Sequence, residues 1–442
     1  MKIVLPEKCS VIIHTLEENG FEAYAVGGCV RDSCLGRTPN DWDITTSASP
    51  QDVMRLFRHT VETGVEHGTV TVLMGKEAYE VTTYRIDGAY EDARHPSGVT
   101  FTTELREDLR RRDFTVNAMA YNDKNGLVDL FGGEEDLRRK VIRCVGDPME
   151  RFGEDALRIM RAVRFGAQLG FSIDPDTEKA IRAFAPSLHR ISAERIHAEL
   201  EKLLLSDRPQ DLRIAWETGI TAAVLPEFDR IMEQKQTGPH HDLNVGEHTL
   251  LTMRNIPATR VLRFTMLLHD MGKPETAEAD TDGVWHFKGH AEAGAAKAEM
   301  ILRRLKFDND SLRRITRLVR AHSTHVKPGP EAVRRAVHDI GEDIFEDYLL
   351  VRRADILAQK AGTQEERLAK LAATEKIYRE ILQRGDCLSL KTLAVSGADL
   401  IADGMRPGKE LGRVLGRLLD DVLTYPEHNR REYLLDLSRT LR

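Results

Sequence analysis

"AVGGCVRDSCLGRTPNDWDITT", residues 25–46, decides how the first third of this chain folds. A strand pattern, "FEAYAV" (21–26), runs into Gly27-Gly28, and a short helical pattern carrying Arg31 follows. A second strand pattern, "DWDITT" (41–46), returns with acids at Asp41 and Asp43. Gly27 and Gly28 have no Cβ, so backbone N–H groups there can approach a phosphate, and Arg31 is close enough to reach it too. On a strand, Asp41 and Asp43 stand at i and i+2 and present both carboxylates to one face. Two hard oxygen ligands suit Mg²⁺, which takes one or two carboxylates together with substrate phosphates. Glu80, in "AYEVTTY" (78–84), is the best third acid from a neighbouring strand for a two-metal site. A dinucleotide fold is a poor rival, because the chain has no GxGxxG. Taken singly, the Gly-Gly turn and the D-x-D strand are ordinary surface features. In this order they predict metal-assisted nucleotidyl transfer.

The chain around this stretch is long and mixed. At 442 residues it exceeds what one core supports, and about two to four domains are expected. Hydrophobic residues make up 41% and charged residues 31%, the balance of a well-packed, helix-rich soluble protein. No apolar run approaches the roughly 20 residues that cross a bilayer. The start, "MKIVLPEKCSVIIH", lacks the unbroken apolar stretch of a signal peptide. Five cysteines, odd in number and without a CxxC pair, argue against disulfides and a cysteine zinc site, so a cytoplasmic location is expected. The net charge of −7 excludes a chain-wide polyanion binder but leaves room for local basic patches such as "LREDLRRRD" (105–113) and "DLRRKVIR" (136–143).

The pattern predicts an α+β architecture. "CSVIIHTLEENG" (9–20) reads as a helix stopped at Asn19-Gly20, and Ser49-Pro50 as a helix start. "GTVTVLMG" (68–75) and "EAYEVTTYR" (77–85) read as a hairpin around Gly75. After about residue 145 strand signals nearly vanish, and amphipathic helices broken at Pro175, Pro186, Pro209, Pro226 and "TGPHH" (237–241) take over. One of these helical stretches, "FGEDALRIMRAVRF" (152–165), sets Asp155, Arg158, Arg161 and Arg164 at three-residue spacing. A solvated face with an i,i+3 ion pair is one reading of it.

Four segments together resemble the class II tRNA nucleotidyltransferases, the CCA-adding enzymes of bacteria and eukaryotes. "GGCVRD…DWDITTSASP" looks like their first motif and "RRDFTVNAMAYN" (111–122) is similar to the second. "DLFGGEEDL" (129–137) resembles a third, and "EDALRIMRAVRF" (154–165) the fourth, which selects the nucleotide in that family. Weaker similarity reaches "VSGADLIADGMRPGKELG" (395–412), like a family tail segment. The resemblance implies a small mixed head of the polymerase-β-like kind over 1–145 and a helical neck over 146–236, followed by helical body and tail. It places nucleotide contacts on Gly28, Arg31, Arg112, Asp155, Arg158, Arg161 and Arg164, with Gly27 in the same turn.

Base chemistry gives the fourth motif a reason. Cytosine and adenine both offer an exocyclic amino donor beside a ring-nitrogen acceptor, whereas uracil and guanine offer the opposite. A carboxylate next to a guanidinium complements the first pattern, so Asp155 and Arg158, placed on one helix face, would form the reader. A wrong base would leave donors facing donors. Arg161 would reach a phosphate or sugar. Each i+3 step slips roughly 60° around the axis, so Arg164 ends nearly opposite Asp155, and a structural ion pair is almost as good a reading for it. The loop "DGAYEDARHPSGVTF" (87–101) is charged and Gly/Pro-punctuated; in the resembling family an element here helps the change from C to A addition, and Arg94 and His95 would shape the pocket.

A second constellation lies further on: His248, the doublet His269-Asp270, His290, His322 and Asp355. This set resembles the HD-type metal-dependent phosphohydrolases over 237–360, with a tail over 361–442. His248, His269, Asp270 and Asp355 are the expected ligands, with His290 and His322 as further members. Such donors suit Mn, Fe, Co, Ni or Zn and would activate a bound water for phosphoester attack.

The resemblance implies a template-independent enzyme that adds CCA to tRNA 3′ ends from CTP and ATP with Mg²⁺, as a monomer or homodimer, away from membranes. CC-adding or A-adding specialists and poly(A) polymerases are the nearest alternatives. Residues 56–72 carry no "LIGRRF"-like run of the kind the A-only and poly(A) enzymes tend to show, and the 87–101 loop, parts of which CC-only enzymes tend to lack, is complete. A phosphohydrolase working from the histidine set is the alternative from another class.

Overall fold

The computed structural model describes residues 2–88, 98–237 and 242–441. The chain divides into two compact units, Met1–Pro226 and Glu227–Arg442.

The first unit is built on a seven-stranded mixed sheet. In chain order its strands are β1 (Ala23–Val26), β2 (Asp43–Thr46), β3 (Thr60–Gly64), β4 (Thr69–Met74) and β5 (Glu77–Thr83). A separate antiparallel pair, β6 (Arg85–Asp87) with β7 (Val99–Phe101), follows, and β8 (Met119–Asn122) and β9 (Gly126–Asp129) complete the sheet. The spatial order is β3-β4-β5-β2-β1-β8-β9. Central strand β1 is buried on both faces, which its all-apolar "AYAV" allows. β2 runs antiparallel to β1, with Val26 opposite Asp43, and parallel to β5, with Ile44 opposite Val81. The β4–β5 hairpin pairs Met74 with Glu77 across a two-residue turn at Gly75-Lys76, as the pattern predicted.

Helix Glu7–Glu18 packs Cys9, Ile12, Ile13 and Leu16 inward, an i, i+3, i+4, i+7 stripe. Helix Pro50–Leu56 starts where Ser49-Pro50 predicted, with Ser49 Oγ accepting the Asp52 N–H at 3.2 Å. Beyond residue 145 the unit is helical except for a two-residue parallel pairing of Val141–Ile142 with Ser172–Ile173. That pairing, too short to show as a pattern in sequence, ties the segment after the sheet to the end of the helix Leu157–Leu169.

Among its described residues the second unit is helical apart from the short pair Glu278–Ala279 with Trp285–His286. One of its cores gathers Val333, Val337, Phe345, Tyr348, Tyr378, Ile381, Leu400 and Leu418 from five helices. No helix among the described residues is long and apolar enough to cross a membrane.

Candidate active site

The acids of the first unit converge where β2 begins. The strand starts at Asp43, not Asp41, because Asp41 and Trp42 precede the first ladder pair, Val26 with Asp43. Asp41 therefore sits exposed just ahead of the strand rather than on it. Alternation then sorts the faces: Ile44 and Val81 are buried in the core, while Asp43 and its diagonal neighbour Glu80 lie on the other side. Burial pushes the Asp43 carboxyl up, Asp41 and Glu80 add to it, and Arg112 opposes them; the result is about 6. Asp41 and Glu80 thus both act on Asp43, although among the described residues the three do not bring one oxygen each within 4.8 Å of one another.

The Gly-Gly turn lies against two guanidinium groups. Gly27 ends β1 at φ 83°, ψ −129°, a conformation open to glycine, and its N–H pairs back to Met119 O at 3.2 Å. A Cβ there would stand 3.1 Å from Arg112 Nη1; one at Gly28 would stand 3.7 Å from Arg31 Nη2. Arg112 also faces Asp108 at 3.5 Å, and its buried Nε has no hydrogen-bond partner among the described residues. Arg31 is aimed by Asp32 at 2.8 Å and by Asn117 Oδ1 at 2.7 Å. Asn117 therefore positions a guanidinium group.

The fourth motif is not one helix. Helix Pro148–Glu154 stops, Asp155 adopts φ −136°, ψ 104°, and a new helix runs Leu157–Leu169. The break has a local cause: Asp155 Oδ1 accepts the Leu157 N–H at 3.0 Å, capping the second helix. Its other oxygen takes Arg195 Nη2 at 2.9 Å, from helix Ala193–Leu204. Arg158 does not pair with Asp155. It binds Glu154 at 2.5 Å and donates to the carbonyls of Arg151 and Arg111 at 3.1 and 2.9 Å. The expected i,i+3 reader on one helix face is thus replaced by a carboxylate at a helix start and a guanidinium one turn on, each braced separately. Arg195 Nη1 is buried with no partner among the described residues.

Arg161 makes a two-pronged contact with Asp113, at 2.8 and 2.6 Å. Burial would raise the Asp113 carboxyl, but Arg161 outweighs it and the group falls to about 2. Asp113 Oδ1 also receives Asn117 Nδ2 at 3.2 Å, so one chain of contacts runs Arg31–Asn117–Asp113–Arg161 and links the phosphate turn to the fourth motif. Arg31, Arg161 and Arg164 all lie over the Phe165 ring, at 5.1, 5.3 and 3.7 Å. Arg164 forms a buried ion pair with Glu199 at 2.5 Å. Arg94 and His95 lie outside the described residues.

In the second unit five helices bring the histidine set together. His248 lies on helix Val245–Arg254, and His269 caps Arg260–Leu268 with Asp270 next to it. His290 opens His290–Arg304, His322 caps Asn309–Ala321, and Asp355 lies on Phe345–Leu357. Gly272 permits the approach: a Cβ there would fall 2.2 Å from the His290 carbonyl oxygen. Asp270 is 2% exposed. Its Oδ2 faces His269 and His248 Nε2 at 3.1 and 3.9 Å, and its Oδ1 faces His322 and His290 Nε2 at 3.6 and 3.8 Å. The ligand atoms of His248, His269 and Asp270, and those of Asp270, His290 and His322, each fall within 4.8 Å of one another. Asp355 Oδ1 lies 3.0 Å from His248 Nε2.

All four imidazoles are oriented the same way. Each Nδ1 meets a backbone carbonyl: Ala358 at 3.3 Å, Met266 at 2.7 Å, Phe287 at 2.7 Å and Val319 at 2.5 Å. A carbonyl only accepts, so each Nδ1 carries hydrogen and each Nε2 is left turned inward, toward Asp270. His269 Nε2 is buried without a well-aligned hydrogen-bond partner among the described residues. Burial would raise the Asp270 carboxyl, yet His269 and Lys273 hold it well below the usual range.

Sequence reasoning missed Asp113, Asn117, Arg195 and Glu199 as partners. Asp113 and Asn117 lie within the quoted "RRDFTVN" and were open to discovery there; Arg195 and Glu199 sit in an ordinary amphipathic helix with no distinguishing spacing.

Comparison with known proteins identifies the family. Residues 23–143 match the Poly A polymerase head domain family and 170–232 the "Probable RNA and SrmB- binding site of polymerase A". Residues 282–437 match tRNA nucleotidyltransferase domain 2. The CCA-adding enzyme of Leuconostoc mesenteroides is 36% identical over 413 residues, covering 92% of this chain and 89% of the relative. That of Levilactobacillus brevis is 35% identical, covering 95% of each. The crystal structure of the Bacillus stearothermophilus CCA-adding enzyme in complex with CTP superposes with a TM-score of 0.74 at 32% identity, covering 99% of both chains. With a polymerase head, a shared fold and relatives matched nearly end to end, the chain belongs to the bacterial class II CCA-adding enzymes.

Proposed function

We propose that this chain adds cytidine, cytidine and adenosine to the 3′ end of tRNA, without a template, using CTP and ATP. The observation that carries the reading is the continuity of the site: the acid cluster at Asp43, the guanidinium groups beside Gly27-Gly28, and the fourth motif joined to them through Asp113. Asp41 and Asp43, with Glu80 as the third acid, would hold Mg²⁺; their mutual repulsion and the raised Asp43 carboxyl suit a cation there. Bound Mg²⁺ would supply charge neutralisation at the α-phosphate and a more acidic 3′-hydroxyl. Gly27 and Gly28 admit the triphosphate closely, and Arg31 and Arg112 hold it, Arg112 with an unspent buried Nε–H. The tRNA 3′-oxygen attacks the α-phosphorus in line, its bond to the β-phosphate oxygen breaks, and pyrophosphate leaves. Asp155 and Arg158 select the base, with Arg195 bracing the carboxylate. Arg161 fixes Asp113, and Arg164 braces the helix through Glu199. The helical remainder grips the tRNA by shape and backbone.

The test uses the full chain, Mg²⁺ and tRNA transcripts ending before CCA, after C and after CC, with CTP, ATP or both. Growth to CCA and no further, lost in Asp41→Ala, is the expected result. Arrest at CC, addition of the last A alone, or continued A addition would each replace the reading with a narrower or different polymerase.

A second reading concerns the histidine set and rests on its convergence about Asp270. His248, His269, Asp270 and Asp355, joined by His290 and His322, form an HD-type site for Mn, Fe, Co, Ni or Zn. The convergence of four Nε2 atoms on Asp270, each ring held by a carbonyl at Nδ1, fits a cation. A bound ion would supply an activated water for phosphoester hydrolysis. Elemental analysis of the purified chain tests the site: metal retained by the native protein and lost in Asp270→Ala supports it, and equal content in both refutes it.

A further inference from the structure

We propose that Arg352 and Arg367, set side by side on His325, form an anion subsite that selects a phosphate monoester dianion for the histidine site. The inference rests on the metal-site reading above and concerns what that site accepts.

A cavity of about 530 Å³ opens over the histidine set and is lined by Asp270, His290, His322 and Asp355 together with Lys273, Arg352 and Arg367. Among the described residues, Asp270 and Asp355 are the carboxylates in its wall, against Lys273, Arg352 and Arg367. Arg352 is 5% exposed; it donates to the His322 carbonyl at 2.6 Å and to Asp355 Oδ2 at 3.1 Å. Its other amino group lies 3.3 Å from His325 Nε2, and Arg367 Nη2 approaches the same nitrogen at 3.4 Å. His325 Nδ1 meets the Ser323 carbonyl at 2.8 Å, so Nδ1 carries the hydrogen and Nε2 offers one lone pair to two guanidinium groups. Burial and both arginines push this imidazole below its usual range.

Arg367 is the unusual member. It is partly buried, its other contact is the neutral Gln359 side chain, and among the described residues no carboxylate lies within 4 Å of it. Two guanidinium groups held together by a neutral ring, one lacking an acid, leave positive charge uncompensated beside the metal ligands. A cation bound at Asp270 would add to that excess. A dianionic terminal phosphate meets both charges and the planar donor geometry of arginine, whereas a phosphodiester brings half the charge. The same three side chains wall a second cavity of about 500 Å³, so the pair stands between two openings rather than inside a closed core.

The test uses the full chain loaded with Mn²⁺ in an Arg112→Ala background, which removes the polymerase site's own phosphate contact. Calorimetry measures inorganic phosphate and dimethyl phosphate, and elemental analysis measures metal per chain. The expected result is phosphate bound at least tenfold tighter than dimethyl phosphate, weakened at least tenfold by Arg367→Gln with metal content unchanged, and partly restored by Arg367→Lys. Unchanged phosphate affinity in Arg367→Gln at equal metal content overturns the subsite and leaves the metal reading standing. Equal affinity for the two probes overturns the preference for a dianion. A chain that takes up no metal but loses phosphate with Arg367→Gln overturns the metal reading alone and supports the subsite.

Discussion

At Asp43 the carboxyl rises from an ordinary 3.8 to about 6, through burial first, then Asp41 and Glu80 against Arg112. A folded-state value above the unfolded one favours the fold below about pH 3.8, and that contribution is lost as pH rises through 6. Ionised and without a cation, the head then carries at most about 3 kcal/mol of penalty at neutral pH. In EDTA at pH 7.5, Asp43→Asn should melt higher than the native chain, and calorimetry from pH 8 to 4 should show the gap closing. No gap at pH 7.5 would remove the electrostatic reading. Arg164 makes the opposite case. Removing it strands Glu199 in the core, so Arg164→Ala should lose about 3 kcal/mol of stability by urea titration. The ratio of CTP to UTP incorporation should stay within about twofold. A collapse in that ratio at unchanged stability would place Arg164 on the nucleotide instead.

Among the elements, the break at Asp155 separates two duties that one carboxylate performs: capping a helix through Leu157 N–H and facing Arg195. Asp155→Asn keeps an acceptor for the cap but loses the charge, so stability should fall by less than about 1 kcal/mol while discrimination against UTP drops about tenfold or more. Asp155→Ala should lose both, and thermal melts with single-nucleotide extension assays tell the two variants apart. Equal discrimination in Asp155→Asn and the native chain would take Asp155 out of base selection. This break was not legible beforehand, because Glu154, Asp155 and the following "ALRIMRAVRF" have unbroken helical periodicity. Strands β1, β2, β4 and β5 were legible, β1 as an apolar run ended by Gly-Gly and β2 as a β-branched run ended by Ser-Ala-Ser-Pro, whereas β3, β8 and β9 were not. Asp41 fell off its strand because ladder pairing, not alternation, decides where a strand starts. The acid cluster and the histidine set could be named from spacing, but their partners could not. Asp113–Arg161, Asp155–Arg195 and Arg164–Glu199 join positions 35 to 48 residues apart, and no local pattern encodes such pairs.

For the whole molecule, two compact units with separate charged centres imply separate ligand linkage. A ligand at one hundred times its dissociation constant stabilises its own unit by about 2.7 kcal/mol. Calorimetry should therefore show CTP with Mg²⁺ and Mn²⁺ alone each raising melting of the native chain, with Asp270→Asn removing the part of the Mn²⁺ shift that the acid cluster does not supply and sparing the CTP shift. Loss of both shifts in Asp270→Asn would tie the two centres together. The ion pairs across the fourth motif also bear on how the enzyme is made. Arg195 and Glu199 are translated 40 and 35 residues after the groups they hold. A nascent chain that has released the acid cluster, the phosphate turn and even the fourth motif still lacks both of these partners. On the proposed reading, synthesis arrested before Arg195 would leave the Asp155 carboxylate without its guanidinium brace, so base selection would be completed only after the phosphate turn and the acid cluster have already been made.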